Sequence, residues 1–444
     1  MKKYIVAILA VLFAMNVKAQ NENALTIDSC FALAKANNAN LKTSRLEIKR
    51  AQEVKAQAFT KFFPQVQGAA IGYSAYSPIL RLTADDVSNV VIREVLKDII
   101  ELLEVFADFD GEISMLDKGS SVGVMVAQPV FTGFQILNGN RLAEVGIKAA
   151  ELQSEVTERE VLENIESSYY LVLGLQQKVK TVETALAMLD TIDNTVNAAL
   201  KAGLVTKNDA LKVALEKNKL KAQQLQLNDG IFLASRLLCQ QIGIEMPENG
   251  LVLDFDNENV NKKFEENTGF VRPEVRLLEL QVEAEKLRRK MTVGATSPNL
   301  IIGGAAYYGN MISKTTRSNA LLFISLKVPM TQWWETSHKL KEHDIKINQY
   351  EIDRQNLTEQ MSIQEDQAYT NMIEAEALLH SDSAAYKMAA ENYRVERLNY
   401  NAGLNTITDV LQANTILLQA DNDITDRNIT LISARRRYHD LTGK

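Results

Sequence analysis

Apolar positions repeat at two different spacings along this chain, and the switch between them marks out its elements. One spacing is seven residues. Val172, Val179, Leu186, Asp193 and Leu200 interleave with Leu175, Val182, Leu189 and Val196, the a/d pattern of helices packed as a coiled coil. Two hundred residues later the first set reappears as Met372, Leu379, Tyr386, Tyr393 and Tyr400. Returning segments carry their own sevens: Val213, Leu220, Leu227 and Ala234, then Val410, Leu417, Ile424 and Leu431. No proline occurs between Pro129 and Pro247 or after Pro329, so nothing interrupts a helix in either stretch. The pattern predicts two antiparallel helical hairpins, over 135–243 and 332–442. Residues 135–200 alone would extend about 100 Å at 1.5 Å per residue.

The other spacing is two. It predicts strands at 65–73, 121–128, 299–308 and 320–328. Val66, Gly68, Ala70 and Gly72 share one face, as do Val122, Val124 and Val126. Leu322, Ile324, Leu326 and Val328 line another, with Ser325 and Lys327 opposite. Strands of roughly 8–10 residues suit a tilted crossing of a bilayer. Tyr73, Tyr76, Tyr307 and Tyr308 flank one end of the hairpins, and Phe131, Phe134, Trp333 and Trp334 the other, like two interfacial girdles. A helical pattern over residues 24–61, capped near Thr26 or Asp28 and broken at Asn37-Asn38, precedes the first strand.

Each long hairpin closes through the same turn. Gly203 supplies a left-handed residue at the end of the incoming helix, and Leu204 follows where a C″ apolar contact belongs. Thr206 is placed to cap the outgoing helix, with Asp209 three residues on, near its positive end. Gly403, Leu404, Thr406 and Asp409 repeat the four roles 200 residues later. The same offset relates Pro129 to Pro329, Ala234 to Ala434 and Gly243 to Gly443. Upstream, Leu46, Pro64 and Tyr73 match Leu280, Pro298 and Tyr307 at an offset of 234. The chain is therefore duplicated, as a first repeat over 20–243 and a second over 271–444. A linker over 244–270, rich in Asn, Glu and Asp, joins them.

The difference between the offsets is an insertion of 34 residues within 74–120. It carries an apolar helical stripe, Ile92, Val95, Leu96, Ile99, Leu102, Leu103 and Phe106, backed by Glu94, Asp98, Glu101, Glu104 and Asp108. This is expected to be an element capping the first hairpin.

Charge and composition remove function classes. Lys2 and Lys3, the apolar run Ile5 to Met15 and the small-residue site Val17-Lys18-Ala19 predict a signal peptide over 1–19. Its removal takes the net charge from −7 to −10 through loss of Lys2, Lys3 and Lys18. No basic cluster invites nucleic acid. His338 and His343 are five apart, on different helix faces, so they are not an i,i+4 zinc pair. With no paired cysteine motif and no glycine-rich phosphate loop, no enzyme site, metal or cofactor is expected. Cys30 and Cys239 both fall in helical patterns and read as small buried residues, with their pairing open.

Four strands cannot close a membrane barrel, so several chains must pool theirs. The Leu-Thr-Ile-Asp start and the stretch through Asn38, the duplicated plan and the two Ala-Gly-Leu-x-Thr-x-x-Asp turns together resemble the TolC-type outer-membrane efflux family, over about Leu25 to Gly443. The resemblance implies a mainly α fold with membrane β. It implies a homotrimer whose twelve-stranded outer-membrane barrel continues into a periplasmic α-helical coiled-coil tunnel. It also implies an inner-membrane pump and a periplasmic adaptor as partners, lipid around the barrel, and passive exit of small molecules. The tip positions Gly203, Leu204, Thr206, Gly403, Leu404 and Thr406 match the adaptor-contact motif. Asp409 matches an acidic constriction at the channel entrance, with Gln412 where a second acid would stand. Tyr400 and Asp209 match two members of a closed-state lock whose arginine is here Asn405. Asp209 and Asp409 are equally accounted for as helix caps, and Tyr400 as part of a packing stripe. Two other readings stay open: an exit duct for secreted polypeptides, and an exported coiled-coil scaffold without a pore.

Overall fold

Thr26 begins the ordered helical structure by accepting the Ser29 N–H on its Oγ1 at 3.3 Å. The computed structural model describes residues 25–442 apart from 77–79, 83–84, 86, 108–112, 116–117, 249, 254–271 and 311–315. The expected signal peptide and most of the linker lie outside the described residues. Two compact units are present. One takes Arg50–Lys148 and Leu280–Tyr350; the other takes the chain up to Lys49, Ala149–Glu279 and the part from Glu351 onward.

The elements follow one another as α1 (Ile27–Asn37), α2 (Ala39–Thr60), β1 (Gln65–Ser74), β2 (Leu80–Leu82), α3 (Val90–Ala107), β3 (Ile113–Met115) and β4 (Lys118–Phe131). Then come α4 (Gln135–Lys201), α5 (Lys207–Ile242), α6 (Pro273–Ala295), β5 (Asn299–Gly309), β6 (Arg317–Lys327), α7 (Gln332–Asn401) and α8 (Ile407–Thr442). Helix ends keep the offset of 200: α4 stops at Lys201 and α7 at Asn401, while α5 starts at Lys207 and α8 at Ile407.

The first unit holds a four-stranded antiparallel sheet in the order β1-β4-β5-β6. Its register aligns the apolar alternation of every strand. Val66 faces Val126, Gly68 faces Val124, Val124 faces Ala306 and Gly304 faces Leu322. One face is thus apolar through the middle of all four strands, yet it is bare: Leu322 is 91% exposed and Ile324 73%. β4 extends beyond the expected 121–128 at both ends, and its register slips between Pro129 and Phe131, where proline has no N–H to give the ladder. The chain then turns into α4 through Gly133 and Phe134, both at positive φ. A Cβ on Gly133 would collide with the backbone of Gly294, and one on Gly294 with Gly133, so this corner requires glycine on both sides.

Within the insertion, Asn89 caps α3 by accepting the Val91 and Ile92 N–H groups at 3.1 and 3.3 Å. β2 and β3 pair as a short hairpin that the sequence pattern did not announce. The expected capping stripe is largely open where its side chains are described: Ile92, Val95 and Ile99 are exposed and Leu96 is half-buried. The side chains of Leu102, Leu103, Phe106 and Asp108 lie outside the described residues.

In the second unit, Ile27, Cys30 and Ala34 of α1 pack among Tyr169 and Val172 of α4 and Leu238, Cys239 and Ile242 of α5. Both cysteines are free thiols in this cluster. Burial, with Cys239 adding to it, pushes the Cys30 thiol up to about 11. Asn38 explains the break between α1 and α2. Its Oδ1 accepts the Asn40 and Leu41 N–H groups, and its Nδ2 donates to the Gln241 carbonyl at 2.7 Å.

The coiled-coil seam keeps Val182, Leu189 and Val196 of the sequence reading and replaces the line through Leu186 and Asp193. Val182, Ala185, Leu189, Ile192 and Val196 are the buried line, against Val213, Leu220, Tyr393, Ile407 and Val410. Leu186 sits at its edge, and Asp193 instead faces Lys217 at 3.5 Å. On α7 the buried seven-spaced line is Met361, Ala368, Ala375 and Ala389. Asp382 fills the vacant step and pairs with Arg427 at 2.9 Å.

Candidate functional site

Both helical turns end their first helix as Schellman motifs. At the first, Leu204 N–H donates to Ala199 O at 2.9 Å and Gly203 N–H to Leu200 O at 3.0 Å. At the second, Leu404 N–H reaches Asn399 O and Gly403 N–H reaches Tyr400 O at the same distances. This closure demands the left-handed backbone at C′, and Gly203 and Gly403 have φ of 72° and 74°. The C″ leucines do not make the apolar contact that commonly accompanies the motif. Leu204 is 79% exposed and Leu404 77%. Each turn therefore presents one bare leucine at its apex.

The outgoing helices start from carboxylate-anchored caps. Asp209 accepts from the Thr206 N–H at 3.0 Å and its hydroxyl at 2.7 Å, and returns its own N–H to Thr206 Oγ1 at 3.3 Å. That is a complete capping box. Asp409 accepts from the Thr406 N–H at 2.9 Å and its hydroxyl at 2.7 Å. The Thr206 and Thr406 bonds hold both carboxyls below the usual carboxylate range. Each stays ionised at neutral pH, so each turn carries a fixed negative charge. Asp409 is exposed, Asp209 half-buried, and Gln412, one turn along α8, is exposed as well.

The residues matched to the lock behave separately. Asn405 turns back on its own hairpin, donating from Nδ2 to the Glu396 carbonyl at 3.0 Å and to the Glu396 carboxylate. Tyr400 is partly buried against the coiled-coil cluster. Burial, then the Asp209 charge, raises its phenol, which places Tyr400 within electrostatic reach of Asp209. Sequence reasoning missed the link between the turns, a 2.9 Å hydrogen bond from Lys212 Nζ to Thr408 Oγ1. It also missed Glu166, a carboxylate 8% exposed beside Arg436 on α8. A charge inside a buried helix stripe was the available signal for the second; nothing local pointed to the first.

His343, set aside as a zinc ligand, has a structural role. Its Nδ1 lies 2.7 Å from Glu285 Oε1 and its Nε2 2.9 Å from Thr292 Oγ1. Among the described residues, no group of three or more His, Cys, Asp or Glu could hold a metal. No described helix is long and apolar enough to cross a membrane.

No family model and no curated protein matches the sequence. Solved structures do match the fold. The CmeC outer membrane channel of Campylobacter jejuni superposes with a TM-score of 0.75 at 15% identity, covering 94% of this chain and 85% of that one. The chain has the TolC-type fold. The outer membrane protein VceC of Vibrio cholerae gives 0.72 at 14% identity, covering 94% and 96%. The open-state MtrE outer membrane channel of Neisseria gonorrhoeae gives 0.69 at 13%, covering 94% and 88%. Identities this low carry the fold, in which the sheet and both helical turns of this chain take their places; what passes through it has to be argued from the residues.

Proposed function

We propose that this chain is the outer-membrane channel of a tripartite efflux system, a passive exit duct through which an inner-membrane pump and a periplasmic adaptor discharge small molecules. No reaction is catalysed in this reading. The observation that carries it is the sheet. A four-stranded meander with one largely apolar exposed face and, among the described residues, no strand paired to the outer edges of β1 and β6 suits neither water nor lipid as a single copy. Lipid tolerates apolar faces but not open strand edges, and pooling the strands of several copies satisfies both demands. Three copies give a twelve-stranded barrel, the number the TolC-type resemblance implies. The exposed leucines Leu204 and Leu404, with Gly203, Thr206, Gly403 and Thr406 shaping their turns, form the surface offered to the adaptor. Asp409, with Asp209 beside it, supplies negative charge to the entrance.

The first test is the mass of detergent-extracted protein from separated outer and inner membranes. The expected result is a trimer in the outer membrane. A soluble monomer or dimer in the periplasm would overturn the pore and leave a coiled-coil scaffold. The entrance has its own test. Asp409→Asn keeps an acceptor for the Thr406 N–H but removes the charge, so the purified channel's reversal potential is expected to shift towards anions and its divalent-cation block to weaken. Unchanged selectivity and block would reduce Asp409 to a helix cap.

A further inference from the structure

The sheet's second face carries charge of one sign only. The register and the alternation of β6 put Arg317, Asn319, Leu321, Phe323, Ser325 and Lys327 on the face opposite to the apolar one formed by Leu322, Ile324 and Leu326. If the apolar face meets lipid, this face lines the lumen. Its two charged residues are Arg317 and Lys327, both exposed. Arg317 stands in a row with Gly309 of β5 and Ser121 of β4, neighbours too small and too neutral to balance it. Lys327 pairs with Asn299 at the other end of the strand. Ten residues at about 3.3 Å each put roughly 33 Å of strand between them. Neither makes an ion pair among the described residues; Lys118 is the one other charged residue in the four strands, and it lies at the start of β4 on the apolar side.

No Asp or Glu occurs anywhere in β1, β4, β5 or β6. The chain around them is acidic, with 56 carboxylates against 49 basic residues. The insertion at the β1–β4 end is more so, with ten carboxylates against four basic residues over 74–120. Carboxylates are thus abundant on both sides of these strands and absent from them.

We infer that the barrel lumen is a cationic section, with Arg317 and Lys327 as its selectivity-determining residues, and that it favours anionic solutes. Resting on the proposed pore, the inference adds the charge class of what leaves through it. Symmetric copies would turn each residue into a ring, Arg317 near the hairpin end and Lys327 near the end that leads into α7. Rings of Arg or Lys are the arrangement by which pores select anions, and a low-dielectric wall strengthens their field. Asp409, exposed on its turn, gives the entrance charge of the opposite sign.

The test compares the purified native trimer with Arg317→Gln/Lys327→Gln in planar bilayers. Reversal potentials are read across a tenfold KCl gradient, and block by hexacyanoferrate is read from the barrel side. Native channels are expected to be blocked by the polyvalent anion. The double variant is expected to lose most of that block and to shift its reversal potential towards cations. Lys118→Gln, on the opposite face, should match the native channel in both. If the double variant conducts with unchanged block and reversal potential, the cationic lumen is wrong while the pore stands. If native trimers do not conduct at all, the pore reading fails and takes this inference with it.

Discussion

If the chain is the proposed channel, replacing Gly403 by proline is expected to abolish export while the protein still assembles in the outer membrane. Gly403 has φ of 74°, whereas proline fixes φ near −65°. Its N–H donates to Tyr400 O at 3.0 Å, and proline has none. The substitution therefore breaks both requirements of the Schellman closure, at a cost of about 3 kcal/mol or more. The damage is local because the sheet belongs to the other compact unit. Gly403→Ala keeps the N–H and meets only the left-handed penalty, about 1–2 kcal/mol, so it should export at a reduced level. A second variant separates a broken turn from a lost docking surface. Leu404 is 77% exposed, so Leu404→Asp leaves the fold intact and should still impair export. Normal export by the proline variant, with trimers present, would show that this turn is not where the adaptor docks.

The turns were legible in the sequence because all their partners lie close by. Gly203, Leu204, Thr206 and Asp209 bond only to residues within six positions, and each bond demands a particular residue type. The strands were legible for a similar reason, since alternation is a local pattern. Misreadings began where the partner is remote. Seven-spacing set Leu186 and Asp193 beside Val182, Leu189 and Val196 on α4, and the structure buries Ala185 and Ile192 in place of the first two. On α7 the sequence reading follows the tyrosines, of which Tyr393 is indeed buried, but the seven-spaced buried line runs through Ala368, Ala375 and Ala389, whose small side chains let helices approach and give little hydropathic signal. The C″ position of Leu204 suggested a contact that the structure does not make. At the site, the resemblance supplied Tyr400, Asp209 and Asn405 as a group. Asn405 instead spends its amide on Glu396, and Lys212 reaches Thr408 across 196 residues of sequence, which no local rule could have anticipated.

Glu166→Gln is expected to stabilise the helical unit at pH 8 and to leave it unchanged near pH 5. Glu166 is 8% exposed, its Oε2 is 3.4 Å from Arg436 Nε, and its Oε1 is buried without a hydrogen-bond partner. Burial pushes its carboxyl from 4.5 up to about 7; Arg436 opposes this, while Asp440 and Glu163 add to it. Tyr170, one helical turn along α4, is buried enough to rise to about 12, so it stays neutral and offers no charge. Arg436 meanwhile shares its guanidinium with the Phe31 ring, 4.9 Å from the centroid. The sign follows from the raised value. Near pH 4.5 and below, the folded and unfolded states hold the same proton and Glu166 costs nothing. As pH climbs towards and past about 7, the unfolded chain has already released its proton. The folded chain must then ionise a buried group, and up to ~3 kcal/mol of stability is lost at 1.36 kcal/mol per unit. Glutamine keeps the shape and the neutral state at every pH, so the melting temperature of the purified variant should fall less between pH 5 and 8 than that of the native protein. A variant that melts lower at pH 8 would mean that the Arg436 ion pair outweighs desolvation, and that this buried carboxylate stabilises the fold by being charged.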